Sequence, residues 1–160
     1  MTGITLICVG KMKEKFYIDA AAEYEKRLGA YAKTEIVELN EVRLPEKPTD
    51  GEIEAALSRE AEAIRSKIPK GAAVIAMCIE GNMLKSEDVA KMLQKYGGSG
   101  VSRLCFIIGG SFGLHESVKK AADVRLSMSP MTFPHHLARV MLLEQIYRGF
   151  KINEGGRYHK

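Results

Sequence analysis

The sequence predicts an α/β fold in which a mostly parallel sheet carries helices on both faces. Three observations predict it. Apolar runs of strand length, "ITLICVG", "AAVIAMCI" and "RLCFII", recur between segments of helical periodicity. These runs are continuous, not alternating, as in strands covered on both faces. Turn and cap residues then separate each strand from the following helix, and strictly alternating elements are what parallel crossovers require. With 160 residues, 46% of them hydrophobic, residues 1–160 are expected to form one compact domain.

The first strand runs from Ile4 to Val9 and is closed by Gly10-Lys11. Lys15 to Leu28 is an amphipathic helix with Phe16, Ala20, Tyr24 and Leu28 near one face and Gly29 as its stop. "TEIVEL" is the second strand, centred on Ile36 and Val37. "NEVRLPEKPTD" interrupts the alternation with Pro45 and Pro48, after which Thr49 and Glu52 form a capping box for a helix to about Ile68. "AAVIAMCI" is the third strand; Ser86 can cap a short helix to Tyr96, "GGSG" turns the chain, and "RLCFII" is the fourth strand. A short helix from His115 to Ala122 leads into a fifth strand, "VRLSM". Beyond "SPMTFPHH" a long helix runs from about His136 to Phe150, and "KINEGGRYHK" trails from it.

Composition sets limits on function. No segment approaches the roughly 18 apolar residues of a membrane span, so the expectation is a soluble, cytoplasmic protein without a membrane partner. Cys8, Cys78 and Cys105 each lie in a strand-like apolar run without C-x-x-C spacing, and are expected as buried, reduced thiols. The four histidines have no ligand spacing, and His135 and His136, adjacent on a helix, are expected to point apart; no metal is predicted. Charge is uneven: residues 34–68 carry nine acids and five bases, whereas residues 69–160 carry thirteen bases and seven acids. A basic C-terminal half points mildly to a polyanion, although solvated lysines give the same pattern.

"FIIGGSFGLH" concentrates the functional signal. Gly109 to Gly113 match G-x-S-x-G, yet a hydrolase elbow needs a helix starting at its serine, and Gly113, Leu114 and His115 intervene here. The glycines also miss the dinucleotide spacing, and no Walker lysine is present. What such a loop can do is bring backbone amides close to a flat ligand at the carboxyl edge of parallel strands. A purely structural turn is the other reading. Two more loops share that edge, so Met77 to Gly81, Gly109 to Gly113 and Met128 to Phe133 converge. Their apolar, backbone-rich lining suits an adenine and a methionine-like tail better than a pyrophosphate, though methionines are also ordinary core filler.

"VGKMKEKFY", "EYEKRLGAY", "FIIGGSFGLH", "LSMSPMTFPHHLARVMLLEQIYRGFKI" and the final "YHK" occur in order over nearly the whole chain. Together they resemble the RlmH family of SPOUT-class 23S ribosomal RNA methyltransferases. The resemblance implies an S-adenosylmethionine enzyme with a C-terminal trefoil knot, acting as a homodimer. It also implies methylation of N3 of pseudouridine 1915 in 23S ribosomal RNA, with the ribosome as partner. The cofactor positions it implies are Met77, Gly109, Met128, Ser129, Pro130, Met131, Thr132 and Phe133. Pro130 is a departure, because some relatives carry lysine there, which leaves backbone contacts at that position.

The last helix supports dimerisation independently. Leu137, Val140 and Met141 occupy one side and Leu142, Leu143 and Ile146 others, more than one sheet face can bury. Glu144 and Arg148, four apart, are expected to pair, or Glu144 to be a site residue. Arg139 beside the cofactor loop is a candidate for gripping RNA phosphate or a uracil carbonyl. The resemblance directs attention to the tail for the base that removes the N3 proton. Tyr158 and His159 follow Gly155-Gly156, and such a tail could cross to a partner's cofactor loops, with Lys151, Arg157 and Lys160 on RNA phosphates. Two other classes stay open: a non-catalytic RNA-binding module, which would bind no S-adenosylmethionine, and a nucleotide-sensing domain, which would bind no RNA.

Overall fold

The computed structural model describes residues 2–159. Five strands and five helices alternate: β1 (Thr2–Val9), α1 (Lys15–Leu28), β2 (Ala32–Leu39), α2 (Asp50–Lys67), β3 (Ala73–Met83), α3 (Ser86–Gly97), β4 (Arg103–Ile108), α4 (Glu116–Ala121), β5 (Val124–Ser127) and α5 (His135–Asn153). The strands form one sheet in the order β2-β1-β4-β3-β5. Every pairing is parallel. The expected fold class is what the chain adopts.

The period of two in the strands divides the core between the two faces. Ile4, Leu6 and Cys8 of β1, with Leu104, Phe106 and Ile108 of β4, point to one face. There they meet Ala21 and Leu28 of α1, Val89 and Leu93 of α3, and Leu142, Leu143 and Ile146 of α5. Ile7 and Val9 of β1, with Cys105 and Ile107 of β4, point to the other, against Ala61 and Ile64 of α2 and Val118 of α4. Both faces of the central strands are therefore apolar, which is why their sequences read as unbroken hydrophobic runs.

Several boundaries differ from expectation, each for a local reason. α2 opens on the predicted capping box, with Thr49 Oγ1 accepting from the Glu52 amide and Glu52 Oε1 from the Thr49 amide. α3, however, is capped at Lys85, whose amide donates to Asp88; the Ser86 hydroxyl donates to Gln145 of α5 instead. β3 runs four residues beyond the predicted Ile79, because after a register shift Asn82 and Met83 pair with β5. Phe16 does not join the buried face of α1 and is 66% exposed; the buried residues of the helix are Ala21 and Leu28. His135 and His136 do not point apart: their rings meet edge to face, 4.3 Å between centroids.

The sides of α5 expected to await a partner are filled within the chain. Leu142, Leu143 and Ile146 are at most 2% exposed, held between the sheet, α1 and α3. Leu137, Val140 and Met141, on the remaining side, stay half-buried. No helix among the described residues is long and apolar enough to cross a membrane. Among the same residues no group of three or more His, Cys, Asp or Glu is placed to hold a metal ion.

Candidate functional site

Three segments, the far part of β3 and the loops after β4 and β5, together enclose a cleft of about 800 Å³. Met77 to Glu80, Ile108 to Leu114 and Leu126 to His135 supply most of its wall. Of the eight residues expected there, Met77, Gly109, Met128, Ser129, Met131, Thr132 and Phe133 line it. Pro130 is exposed and stands outside the lining. Ile79, Phe112 and Met131 are 53%, 48% and 71% exposed, which gives the mouth an apolar rim. Cys78 is half-buried in the same wall, unlike Cys8 and Cys105, which lie in the core.

The floor is a backbone cradle. After β4 the chain makes a turn in which the Gly113 amide donates to the Gly110 carbonyl at 3.0 Å. Gly113 takes φ +79°, and a Cβ on Gly109 would stand 2.5 Å from the Gly113 carbonyl carbon. One position needs glycine for its dihedral and the other for its proximity. Glu41 fixes the turn from the β2–α2 segment: its Oε1 accepts from the Ser111 amide at 2.8 Å, and a Cβ on Gly110 would displace that carboxylate. Glu60, itself 6% exposed, accepts from the Val42 amide and holds that segment down. Ser111 thus sits inside a turn, and the next helix starts only at Glu116, so the geometry of a nucleophile elbow is missing.

The loop after β5 is shaped by its own serines. The Ser127 hydroxyl donates to the Ser129 carbonyl, and Ser129 Oγ accepts from the Met131 amide at 3.0 Å. Behind it, α5 begins at His135, which also lines the cleft. Burial, and then the neighbouring His136, lower the pKa of His135 and favour the neutral ring.

Arg139 lies one turn further along α5 and is 3% exposed. Its Nη1 donates to Glu38 Oε2 at 2.6 Å and its Nη2 to the Gly10 carbonyl at 3.0 Å. The expected reach toward RNA is therefore not available to this guanidinium, which clasps the β1–α1 loop to α5. Burial pushes the Glu38 carboxyl up, but the hydrogen bond from Arg139, the Met12 amide and the Arg139 charge outweigh it and hold it low.

The tail is elsewhere. Tyr158 donates to Glu144 Oε1 at 3.2 Å, and its ring lies under the Arg148 guanidinium at 4.8 Å. Glu144 and Arg148 form the expected ion pair, at 2.5 Å. His159 Nδ1 is 3.1 Å from Arg148 Nη1 and its Nε2 is 3.0 Å from Glu87 Oε1. Neither Tyr158 nor His159 lines the cleft, so within one chain the structure does not unite the tail with the cofactor loops. Burial first, and then the Glu144 charge, push the Tyr158 phenol up to about 12. Lys151 is committed to Glu154, Arg157 is exposed, and Lys160 lies outside the described residues.

Glu80 lies in the expected Met77 to Gly81 run, whereas Glu41, beneath the β4 turn, and Lys119, in the cleft wall, are residues that sequence reasoning missed. Both of these reach the cleft or its floor from a segment distant in sequence, and a lone acid or lysine in a polar stretch gives no signal of that.

The sequence model of a family described as "predicted SPOUT methyltransferase" matches residues 2–159. Among solved structures, a probable methylase family protein from Haemophilus influenzae is similar at TM-score 0.57 and 14% identity, covering 99% of this chain and 71% of that one. A probable methyltransferase from Bordetella pertussis is similar at TM-score 0.57 and 11% identity, covering 92% and 96%.

Proposed function

The chain belongs to the SPOUT methyltransferase family, and from that membership we propose that it binds S-adenosylmethionine in the cleft and methylates N3 of pseudouridine 1915 in 23S ribosomal RNA. The observation that carries the reading is the tight glycine turn at the cleft wall, closed so far that a Cβ on Gly109 would collide with the Gly113 carbonyl, which leaves backbone and not side chains facing the cleft there. The residues present fit the cofactor. Met77, Leu114, Met128 and Phe133 offer an apolar slot for adenine, and the backbone of Gly109 and of residues 128–133 offers polar groups for its edge. When bound, S-adenosylmethionine supplies an electrophilic methyl group on a positively charged sulfur.

The chain's own residues must orient the base and take its proton. We assign the proton to His159. Tyr158, its phenol kept protonated, donates to Glu144 and orients the tail. In the docked tail a guanidinium can only donate, so Nδ1 of His159 accepts from Arg148 and the neutral ring places its hydrogen on Nε2, toward Glu87. No lone pair is then free. The tail must leave these partners to act, and a second copy of the chain is its destination, completing the cleft across a homodimer. Arg139 serves as a positioning residue behind the cofactor loop. The C-terminal trefoil knot, the single-domain organisation over residues 1–160 and a cytoplasmic, ribosome-bound site of action belong to the same proposal, supported by the family membership.

Mass mapping of ribosomal RNA from cells lacking the gene tests the substrate. The methyl mark on pseudouridine 1915 should vanish and return with the native chain; an undiminished mark would overturn the assignment. Calorimetry with S-adenosylmethionine separates this reading from an RNA-binding module, which would show no heat of binding.

A further inference from the structure

Of the side chains lining the main cleft, Glu80 and Lys119 are the charged ones, an acid and a base bonded to each other. Glu80 comes from the far part of β3, beyond the stretch that pairs with β4, and Lys119 from α4. Lys119 is also 3.2 Å from Glu116, so two carboxylates share one ammonium. The Lys119 side chain is 17% exposed and that of Glu80 55%. The rest of the wall is apolar side chains, backbone, hydroxyls and the His135 ring, and holds no other charged side chain to counter a ligand carboxylate, which would pay heavily for burial unpaired.

We propose that Glu80 and Lys119 form the subsite for the zwitterionic amino-acid end of the cleft's ligand, Lys119 taking the carboxylate and Glu80 the ammonium. The inference rests on reading the cleft as the S-adenosylmethionine site. An α-amino acid presents both charges on one carbon, and a pair within hydrogen-bond distance of each other matches that spacing. Exchange also keeps every charge partnered. The ligand carboxylate replaces Glu80 on Lys119, Glu116 stays in place, and the more exposed Glu80 turns to the ligand ammonium. The cofactor's adenine end and amino-acid end are thereby read by different elements, the glycine cradle and the α4–β3 pair.

The test is calorimetric, with three ligands: S-adenosylmethionine, its decarboxylated form, and 5′-methylthioadenosine, which lacks the amino-acid end. Lys119→Met should weaken S-adenosylmethionine by about tenfold or more, the scale of one charge-assisted hydrogen bond, and leave the other two unchanged. Glu80→Gln should weaken S-adenosylmethionine and the decarboxylated form alike and spare 5′-methylthioadenosine. Lys119→Arg, which keeps the cation, should restore most of the loss. Equal weakening of all three ligands would mean that the pair only shapes the cleft and would overturn the proposal. So would unchanged affinity for S-adenosylmethionine in both Lys119→Met and Glu80→Gln. If the native chain bound 5′-methylthioadenosine but discriminated against S-adenosylmethionine, the cofactor reading would fall first and this one with it.

Discussion

Replacing Gly109 by alanine isolates the contribution of the cradle. Its Cβ would lie 2.5 Å from the Gly113 carbonyl carbon and closer still to its oxygen, whereas real Cβ contacts essentially never fall below 3.0 Å. The turn must therefore retreat by at least about 0.6 Å, against rigid backbone on both sides. That motion strains the Gly113 to Gly110 hydrogen bond and the Glu41 contact to the Ser111 amide. Overpacking of this kind costs about 1–3 kcal/mol. For a chain of this length each kcal/mol lowers Tm by about 2–4 °C, giving a drop of roughly 2–12 °C. Function should suffer more, because a misplacement of about 1 Å can cost about 10²-fold in rate. Gly113→Ala is the internal control: its φ of +79° is strained for alanine, but nothing stands within 4 Å of the new Cβ. It should lose about 1–2 kcal/mol of stability and weaken cofactor binding less than Gly109→Ala does. Calorimetric melts and S-adenosylmethionine titrations of both variants decide the matter. Native affinity in Gly109→Ala, or loss of affinity in Gly113→Ala alone, would refute the cradle.

Arg139→Met leaves Glu38 without its cation in a partly buried site and should cost about 2–3 kcal/mol, less than a fully buried pair because the Glu38 side chain is 34% exposed; differential scanning calorimetry showing no change would remove the clasp. The lowered pKa of His135 means that the unfolded chain binds the extra proton more readily, so its contribution is complete above about pH 6.5 and is lost as pH falls below that. His135→Gln should flatten the acid limb of a Tm-against-pH curve. Met141→Glu, on the half-buried side of α5, should shift a dimer toward monomer in sedimentation, whereas Leu142→Glu, 2% exposed, should instead prevent folding. Truncating residues 155–160 should leave S-adenosylmethionine binding intact, abolish turnover, and flatten the salt dependence of ribosome binding by about 0.7–0.9 in log-log slope for each lost phosphate contact.

Much of this site was legible because its chemistry lies in contiguous loops. The β4 loop announces itself through glycines, and the Met128 to Phe133 run through an apolar stretch between strand and helix. α2 was legible for a similar reason, since Thr49 and Glu52 satisfy each other's backbone within one turn. The failures have a common physical cause. Ser86 reads as a cap until Gln145, 59 residues away, takes its hydroxyl. Arg139 reads as a free cation until Glu38 and Gly10 claim it across more than a hundred residues. The apolar girdle on α5 reads as an interface because a sequence does not show that α1 and α3 flank it. Local chemistry fixes elements; the partner of a charged or apolar side chain is set by topology.

The register of β1 has a consequence for how the chain comes into being. Gly3 pairs with Lys33 on one side and with Arg103 on the other. The first partner is synthesised almost at once, the second about a hundred residues later. At about 5–20 residues per second the inner edge of β1 stays unsatisfied for roughly 5–20 s. A strand that becomes an interior strand of the sheet is, for that time, an exposed apolar edge open to pairing with other chains. Such long-range parallel pairing also slows folding, because loop closure precedes the contacts that reward it. A slower-translated stretch ahead of β4 should therefore lower soluble yield without altering a single residue of the product.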